Sequence, residues 1–257
     1  MERKIVYGVP FSQPVRSVLW LLLIKKVPFE LKLINPGSSS EGGSRHPDYL
    51  DKFPTGTIPS YEEPESKFFL SESHAIMSYL CDKYKWHDLY PESLQERARI
   101  DSYLHLHHRN VREASVGLVA PKVRKDLNFP EVFINTSKAT IEKAFQAIES
   151  GWLANSKFLV GDNMTIADLS AYVEIGQLQR QFTNIYDFTN MPNIQRWLKL
   201  MQAVDFHDEI HTALTELGDI SNEAPTMEVI KDANKKAYKV LQECLSKIIT
   251  SRLNERI

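Results

Sequence analysis

The spacing of apolar residues follows one rhythm before Lys85 and another after Pro91. Ile5-Val6-Tyr7 is a short β-branched and aromatic run, stopped by Gly8 and Pro10, and it predicts a strand. Pro14 fits the first turn of a helix, and Val15, Val18, Leu19, Leu22 and Leu23 recur behind it at helical spacing. Phe29 to Ile34 alternates again as a second strand. A polar stretch over residues 35–46, rich in Ser and Gly, predicts a mobile loop. Ile58-Pro59-Ser60-Tyr61 and Lys67-Phe68-Phe69-Leu70 predict two more strands around a turn over residues 62–66. Ser73 then opens a helical pattern through Ala75, Ile76, Tyr79 and Leu80. The order β-α-β-loop-β-β-α is the one that a thioredoxin-like layer of helices on a mixed sheet satisfies.

Beyond Pro91 the strand signals stop. Helical windows follow near 94–125, 130–153, 165–182, 193–203 and 208–217, then a polar stretch over 219–226. Ala237, Val240, Leu241, Cys244, Leu245, Ile248 and Ile249 mark one more amphipathic helix. A switch of period is a domain-boundary signal. The expectation is an α+β chain with a thioredoxin-like βαβ-ββα domain over residues 1–86 and an all-helical domain over 92–257. Residues 219–257 would form a C-terminal extension.

Composition changes this picture little, but it excludes some functions. Thirty-one Lys and Arg against 33 Asp and Glu give a net charge of −2, so no basic excess points to nucleic acid. Two cysteines, Cys81 and Cys244, cannot build a disulfide framework and fit a reducing compartment. The longest apolar run, from Val18 to Ile24, is too short to span a bilayer, and Met1-Glu2-Arg3-Lys4 has no signal-peptide pattern. A cytoplasmic protein without membrane or nucleic-acid partners is expected.

Three local patterns carry chemistry. Ser12-Gln13-Pro14 lies between the first strand and the first helix, where a hydroxyl meets the positive end of a helix dipole. Thr57-Ile58-Pro59-Ser60 enters a strand, and its proline fits a cis bond that would turn the backbone groups of Ile58 toward an added extended peptide. Glu72-Ser73 sits where a strand gives way to a helix. There Ser73 as N-cap, with the free N–H groups of the first turn, suits an anion, and Glu72 suits an ammonium group. A fourth pattern, Thr165-x-x-Asp168, is a capping-box variant with a structural role.

In that order and spacing, these patterns resemble the theta class of glutathione transferases. The likeness extends through Glu96-Arg97-Ala98-Arg99-Ile100-Asp101, Met164-Thr165-Ile166-Ala167-Asp168-Leu169 and Met191-Pro192-x-x-x-x-Trp197. The resemblance implies a homodimer in which Ser12 activates the thiol of glutathione, a co-substrate, without metal or redox cofactor. Thr57, Ile58, Pro59, Glu72 and Ser73 would bind the tripeptide. Ser44, Arg45 and His46 stand near the place where the family puts a histidine followed by a basic residue, so Arg45 or His46 would hold the glycine carboxylate. Thr57 replaces a frequent lysine. Asp101 would either reach across the dimer to the γ-glutamyl amine or pair with Arg97 one turn earlier. Residues 61–69 and 94–101 are candidates for the dimer interface.

The chemistry expected of Ser12 is hydrogen-bond donation, not nucleophilic attack. A free thiol titrates near roughly 8.5, and a charge-assisted bond of about 1.5–3 kcal/mol lowers that by roughly one to two units. Tyr7, at the end of the first strand, is the rival donor. The second partner would be a small hydrophobic electrophile such as an organic halide, epoxide or hydroperoxide. Its pocket is expected between residues 7–11 and the first helices of the second domain, with His108, Arg112 and Ser115 as candidates. His105 and His108, one helical turn apart, read as polar helix-face residues and not as metal ligands. The alternative is a non-catalytic glutathione-binding or regulatory module on the same fold.

Overall fold

The computed structural model describes residues 2–125 and 127–254. Strand β1 (Ile5–Gly8) leads into α1 (Gln13–Ile24), β2 (Glu30–Leu33), the short α2 (Pro47–Leu50), β3 (Ser60–Glu63), β4 (Phe68–Ser71) and α3 (Ser73–Tyr84). The sheet order is β2-β1-β3-β4, with β1 parallel to β2 and antiparallel to β3, and β3 antiparallel to β4. This is the expected thioredoxin-like layer. The helical part follows as α4 (Leu94–His107), α5 (Ala120–Val123), α6 (Glu131–Ala147), α7 (Ile166–Ile175), α8 (Pro192–Gln202), α9 (His207–Leu217) and α10 (Met227–Asn254).

Two helices join the layers. Ten of the twelve residues of α1 are buried, and all ten residues of α7. Helices apolar on every side must be covered on every side. Val18, Leu19 and Trp20 therefore share one core with Met77, Tyr103, Tyr172 and Trp197. Trp20 is fully buried, and its indole N–H donates to the carbonyl of Asp205 at 2.8 Å, which fastens α1 to the segment before α9.

The helical window over 94–125 is interrupted. After α4 the chain turns, runs as a π-helix over Ala114–Val119 and resumes as α5. Pro121 has no N–H to give the carbonyl of Gly117, so the register must change there. Gly117 itself is pressed against Ser137 of α6, where an added Cβ would lie 2.0 Å from the serine Cβ.

The stretch over 35–46 is folded on itself. Asn35 N–H donates to the carbonyl of Gly42 at 2.9 Å, and Arg45 N–H to that of Ser38 at 2.9 Å. The hydroxyl of Ser44 accepts from Gly37 N–H at 2.9 Å, and Ser44 is buried. Asp101 does not pair with Arg97. Arg97 turns instead to Asp82, 2.7 Å away, and stacks on Tyr90, whose hydroxyl donates to Asp101 at 2.8 Å. Among the described residues no helix is long and apolar enough to cross a membrane.

Candidate functional site

The site is built around the end of β1. Gly8 is required there, because a Cβ would meet Val15 Cγ2 at 2.4 Å and push α1 off the strand. The chain then makes a tight turn, with Ser12 N–H on the carbonyl of Val9 at 3.0 Å, and α1 starts at Gln13 with Pro14 in its first turn. Ser12 is the N-cap residue by position, yet its side chain makes no capping hydrogen bond. The hydroxyl is half-buried and has no hydrogen-bond partner among the described residues. It is available to a ligand.

Arg16, one turn into α1, holds this loop from below. Its guanidinium is fully buried and donates to the carbonyls of Phe11 and Val173, each at 3.0 Å. Burial pulls its pKa down to about 9, and Glu174 works against that. At neutral pH the group is still a cation, lodged behind the residue that precedes Ser12. Gln13 anchors the same turn, donating to Gln177 Oε1 at 2.7 Å.

Tyr7 has no free hydroxyl. It donates to Glu62 inside an aromatic cluster with Tyr49 and Phe53. Burial and the Glu62 carboxylate raise its pKa well above the usual tyrosine range.

A cavity of about 180 Å³ opens beside Pro14 and is lined by Thr57, Ile58, Pro59, Glu72 and Ser73. The Ile58–Pro59 bond is cis. Neither the N–H nor the carbonyl of Ile58 has a partner among the described residues, whereas the carbonyl of Thr57 accepts from the hydroxyls of Tyr49 and Ser60 at 2.7 and 3.2 Å. Ser73 is not the N-cap of α3 but its first residue. Glu72 takes the cap position with φ at 73°, a left-handed conformation that glutamate adopts at a cost of order 1–3 kcal/mol. Such strain is kept where a surrounding structure uses the direction it imposes.

The far wall comes from the helical part: His107 and His108 at the end of α4, Arg112 after it, and Ser170 and Glu174 on α7. Arg112 pairs with Glu174, which also accepts from Ser115 and Gln177. Ser115 is thereby buried behind the cavity and does not line it. His74 contacts Ser170 Oγ at 2.5 Å, and burial, with His108 and Arg112 nearby, pulls its pKa down to about 3. It is neutral at physiological pH. His105 is exposed and lies outside the cavity lining.

The remaining sequence-predicted residues are scattered. Arg45 lies against Gly56, the residue before Thr57, where an added Cβ would meet its Nη1 at 2.9 Å. His46 caps α2, its Nδ1 accepting from Asp48 N–H at 3.4 Å. Ser44 is spent within its loop, and Asp101 does not line the cavity of its own chain. The resemblance leaves open whether the C-terminal extension covers the site or packs elsewhere; α10 closes a second cavity, of about 770 Å³, against Phe11 and β2. Its signal was the apolar spacing of Met227, Ile230 and Tyr238.

This arrangement agrees with what comparison finds. Residues 6–91 match the family model for the glutathione S-transferase N-terminal domain, and residues 115–204 match that for the C-terminal domain. Glutathione S-transferase T1 of Arabidopsis thaliana is 34% identical over 186 residues, covering 68% of this chain and 72% of that protein. The chain belongs to the theta-class glutathione S-transferases. Human glutathione S-transferase theta-1 is 29% identical over 84% of this chain and 90% of its own. The chain spans only 37% of the longer Arabidopsis relative T3. The solved structure of human glutathione transferase theta-2, a complex with glutathione and an unknown ligand, shares the fold. Its TM-score is 0.72 at 24% identity, over 95% of this chain and 99% of that one.

Proposed function

We propose that this glutathione S-transferase joins the thiolate of glutathione to small hydrophobic electrophiles, with Ser12 as the hydrogen-bond donor to sulfur. The observation that carries the proposal is the unspent hydroxyl of Ser12 at the N-terminus of α1. Three positive contributions converge there: the hydroxyl, the N-terminal end of α1 and the buried Arg16 cation. All three favour the thiolate over the thiol, so the thiol proton goes to solvent on binding. With an organic halide, the C–S bond forms as the carbon–halogen bond breaks and halide leaves with the electron pair. An epoxide opens in the same way, its oxygen taking a proton. With a hydroperoxide the thiolate takes the outer oxygen as the O–O bond breaks and alkoxide leaves, and a second glutathione converts the sulfenic acid to the disulfide with release of water.

The cavity residues hold the tripeptide. The free N–H and carbonyl of Ile58 suit its backbone, Ser73 at the start of α3 suits the γ-glutamyl carboxylate, and Glu72 suits the ammonium group. Arg45, against Gly56, takes the glycine carboxylate, whereas His46 belongs to the cap of α2. Arg45→Ala therefore raises KM for glutathione about tenfold with little change in kcat, from the loss of a charged hydrogen bond. His46→Ala acts mainly on local stability. Steady-state kinetics of both variants checks this, and a larger KM effect from His46→Ala would reverse the assignment.

The working unit is a homodimer in the cytoplasm, serving detoxification. Leu94, with 79% of its surface exposed, is an apolar residue without cover in one chain. Asp101 accepts from Tyr90 and is not tied to Arg97, which supports its reading as the acceptor of the ammonium of glutathione bound by the second copy. The direct test is a titration with glutathione at neutral pH, reading thiolate absorbance, followed by conjugation of a panel of electrophiles. Appearance of thiolate with turnover supports the enzyme. Binding without thiolate or turnover overturns it in favour of a non-catalytic module.

A further inference from the structure

Ser12 is aimed by its neighbours. Its hydroxyl makes no capping bond, so the direction of the side chain follows from where the backbone on either side is held. Before it, Phe11 is fixed twice: its N–H donates to Asn234 Oδ1 of α10 at 2.9 Å, and its carbonyl accepts from Arg16 at 3.0 Å. After it stands Gln13, the first residue of α1, whose buried side chain donates through Nε2 to Gln177 Oε1 at 2.7 Å. Gln177 lies in the 3₁₀ turn Gly176–Leu178 that follows α7 and is fully buried. Its own backbone is pinned, since its carbonyl accepts from the N–H and the hydroxyl of Thr183 at 3.1 and 2.6 Å.

The chemistry at the two ends fixes the direction of both amides. Gln177 Nε2 lies 3.0 Å from the carbonyl of Glu174, a group that only accepts, so the amide nitrogen is on that side and the oxygen faces Gln13. The same nitrogen donates to Ser115 Oγ at 2.6 Å, and the Ser115 hydroxyl donates onward to the Glu174 carboxylate. At the other end Arg112, which only donates, stands 3.5 Å from Gln13 Oε1 and leaves the Gln13 nitrogen to Gln177. Each donor from Gln13 to Ser115 thus points toward Glu174. Neither amide can turn over without setting donor against donor or acceptor against acceptor in a buried place.

We infer that Gln177 is a positioning residue for the transferase reaction: through Gln13 it holds the start of α1 against the end of α7 and keeps the Ser12 hydroxyl directed at sulfur. The inference rests on the transferase reading for the reaction, and on the buried chain of amides for the tie. Gln177 does not line the cavity, so it acts through Gln13 and Ser12. Its contribution is alignment, because a donor displaced by about 1 Å forfeits much of its effect on a reacting anion.

The test changes no charge. Gln177→Leu removes the acceptor of Gln13, and Gln13→Ala breaks the same bond from the other end while leaving α7 intact. Arg16, Arg112 and Glu174 keep their charges in both. The readouts are the thiol of bound glutathione, titrated by thiolate absorbance, the rate against pH, and the Kd of S-methylglutathione, which has no thiol to ionise. Each variant raises the pKa of the bound thiol by about one unit, a tenfold loss in ionisation, and lowers kcat at neutral pH by a similar factor. KM for glutathione and the Kd of S-methylglutathione stay within a factor of about two, because Ile58, Glu72 and Ser73 are untouched. Alkaline pH restores the rate. In the double variant the shift is no larger than in either single one, since one bond is lost only once. If Gln177→Leu does not fold, Gln13→Ala carries the comparison with the same outcomes. If the wild type binds glutathione without turnover at any pH, the transferase reading fails, and the thiol pKa of variant against wild type still decides the place of Gln177. An unchanged thiol pKa, shifts that add in the double variant, or a weakening of S-methylglutathione binding equal to the loss of rate makes Gln177 a buried packing residue and overturns the inference.

Discussion

Ser12→Ala lowers kcat/KM for glutathione conjugation about 10²-fold, within the range found when one donor to a developing or bound anion is deleted. The size follows from the state of the hydroxyl in the fold. Since it makes no capping bond, its removal costs α1 nothing that it now has, and the variant folds with near wild-type stability. What is lost is the hydrogen bond to sulfur. The pKa of bound glutathione rises by roughly one to two units, and the acidic limb of the pH–rate profile moves to higher pH by the same amount. Thus the deficit is largest at low pH and closes as alkaline pH supplies the thiolate without help. Tyr7→Phe gives the opposite pattern. Its hydroxyl serves Glu62 in the core, so the variant loses stability and keeps its rate per folded molecule. Should Tyr7→Phe abolish conjugation while Ser12→Ala spared it, the two roles would have to be exchanged.

The strand and helix order was legible because each element carries its own period, and the capping box at Thr165 because its two residues are adjacent in a helix turn. The Ser12, Pro59 and Ser73 segments could be placed at element ends for the same local reason, but the cap of α3 falls to Glu72 and not to Ser73, and what the segments would bind came from the resemblance alone. Contacts that cross elements were not. Asp101 and Arg97 are four residues apart on α4 and suit a helix-surface pair, yet each has a better partner, Tyr90 and Asp82, in earlier segments. His46 and Arg45 are neighbours in sequence, and only the fold decides that one caps α2 while the other lies along Gly56. Helix α10 starts at Met227, ten residues before the first residue of its sequence pattern, Ala237. Its first turns present Met227 and Ile230 to a cavity, Ile230 being only partly buried against the core, so a search for a buried stripe finds only Ala233 there. Of the pocket expected between residues 7–11 and the first helices after Pro91, the larger chamber keeps Phe11 but is closed by α10, whose fold-back no local period reveals.

The second large effect lies away from the site, at Asp168. This carboxylate is fully buried, and four bonds converge on it: Leu159 N–H and Trp197 Nε1 on one oxygen, both at 2.9 Å, and Thr165 N–H at 2.9 Å and Thr165 Oγ1 at 3.1 Å on the other. It ties the loop before α7 to α7 itself and to the buried Trp197 of α8. Asp168→Ala strands three N–H donors where water cannot reach them, a loss of about 3–5 kcal/mol, and Tm falls by on the order of 10 °C. Thermal unfolding followed by circular dichroism reads it directly. Asp168→Asn keeps one acceptor oxygen and loses less. The pH dependence separates charge from shape. Burial, opposed by those hydrogen bonds, raises the carboxyl pKa to about 6. The folded state therefore holds the proton more tightly than the unfolded chain, whose carboxyl titrates near roughly 4. Wild-type stability is greater below that lower value and declines as pH rises through about 6, and Asp168→Asn lacks this slope. A decline of equal steepness in both proteins would place the titrating group elsewhere. Because α7 also supplies Ser170, Val173 and Glu174 to the cavity wall, Asp168→Ala in the folded state at low temperature retains the KM for glutathione only if the capping box sets the stability of α7 and not its position.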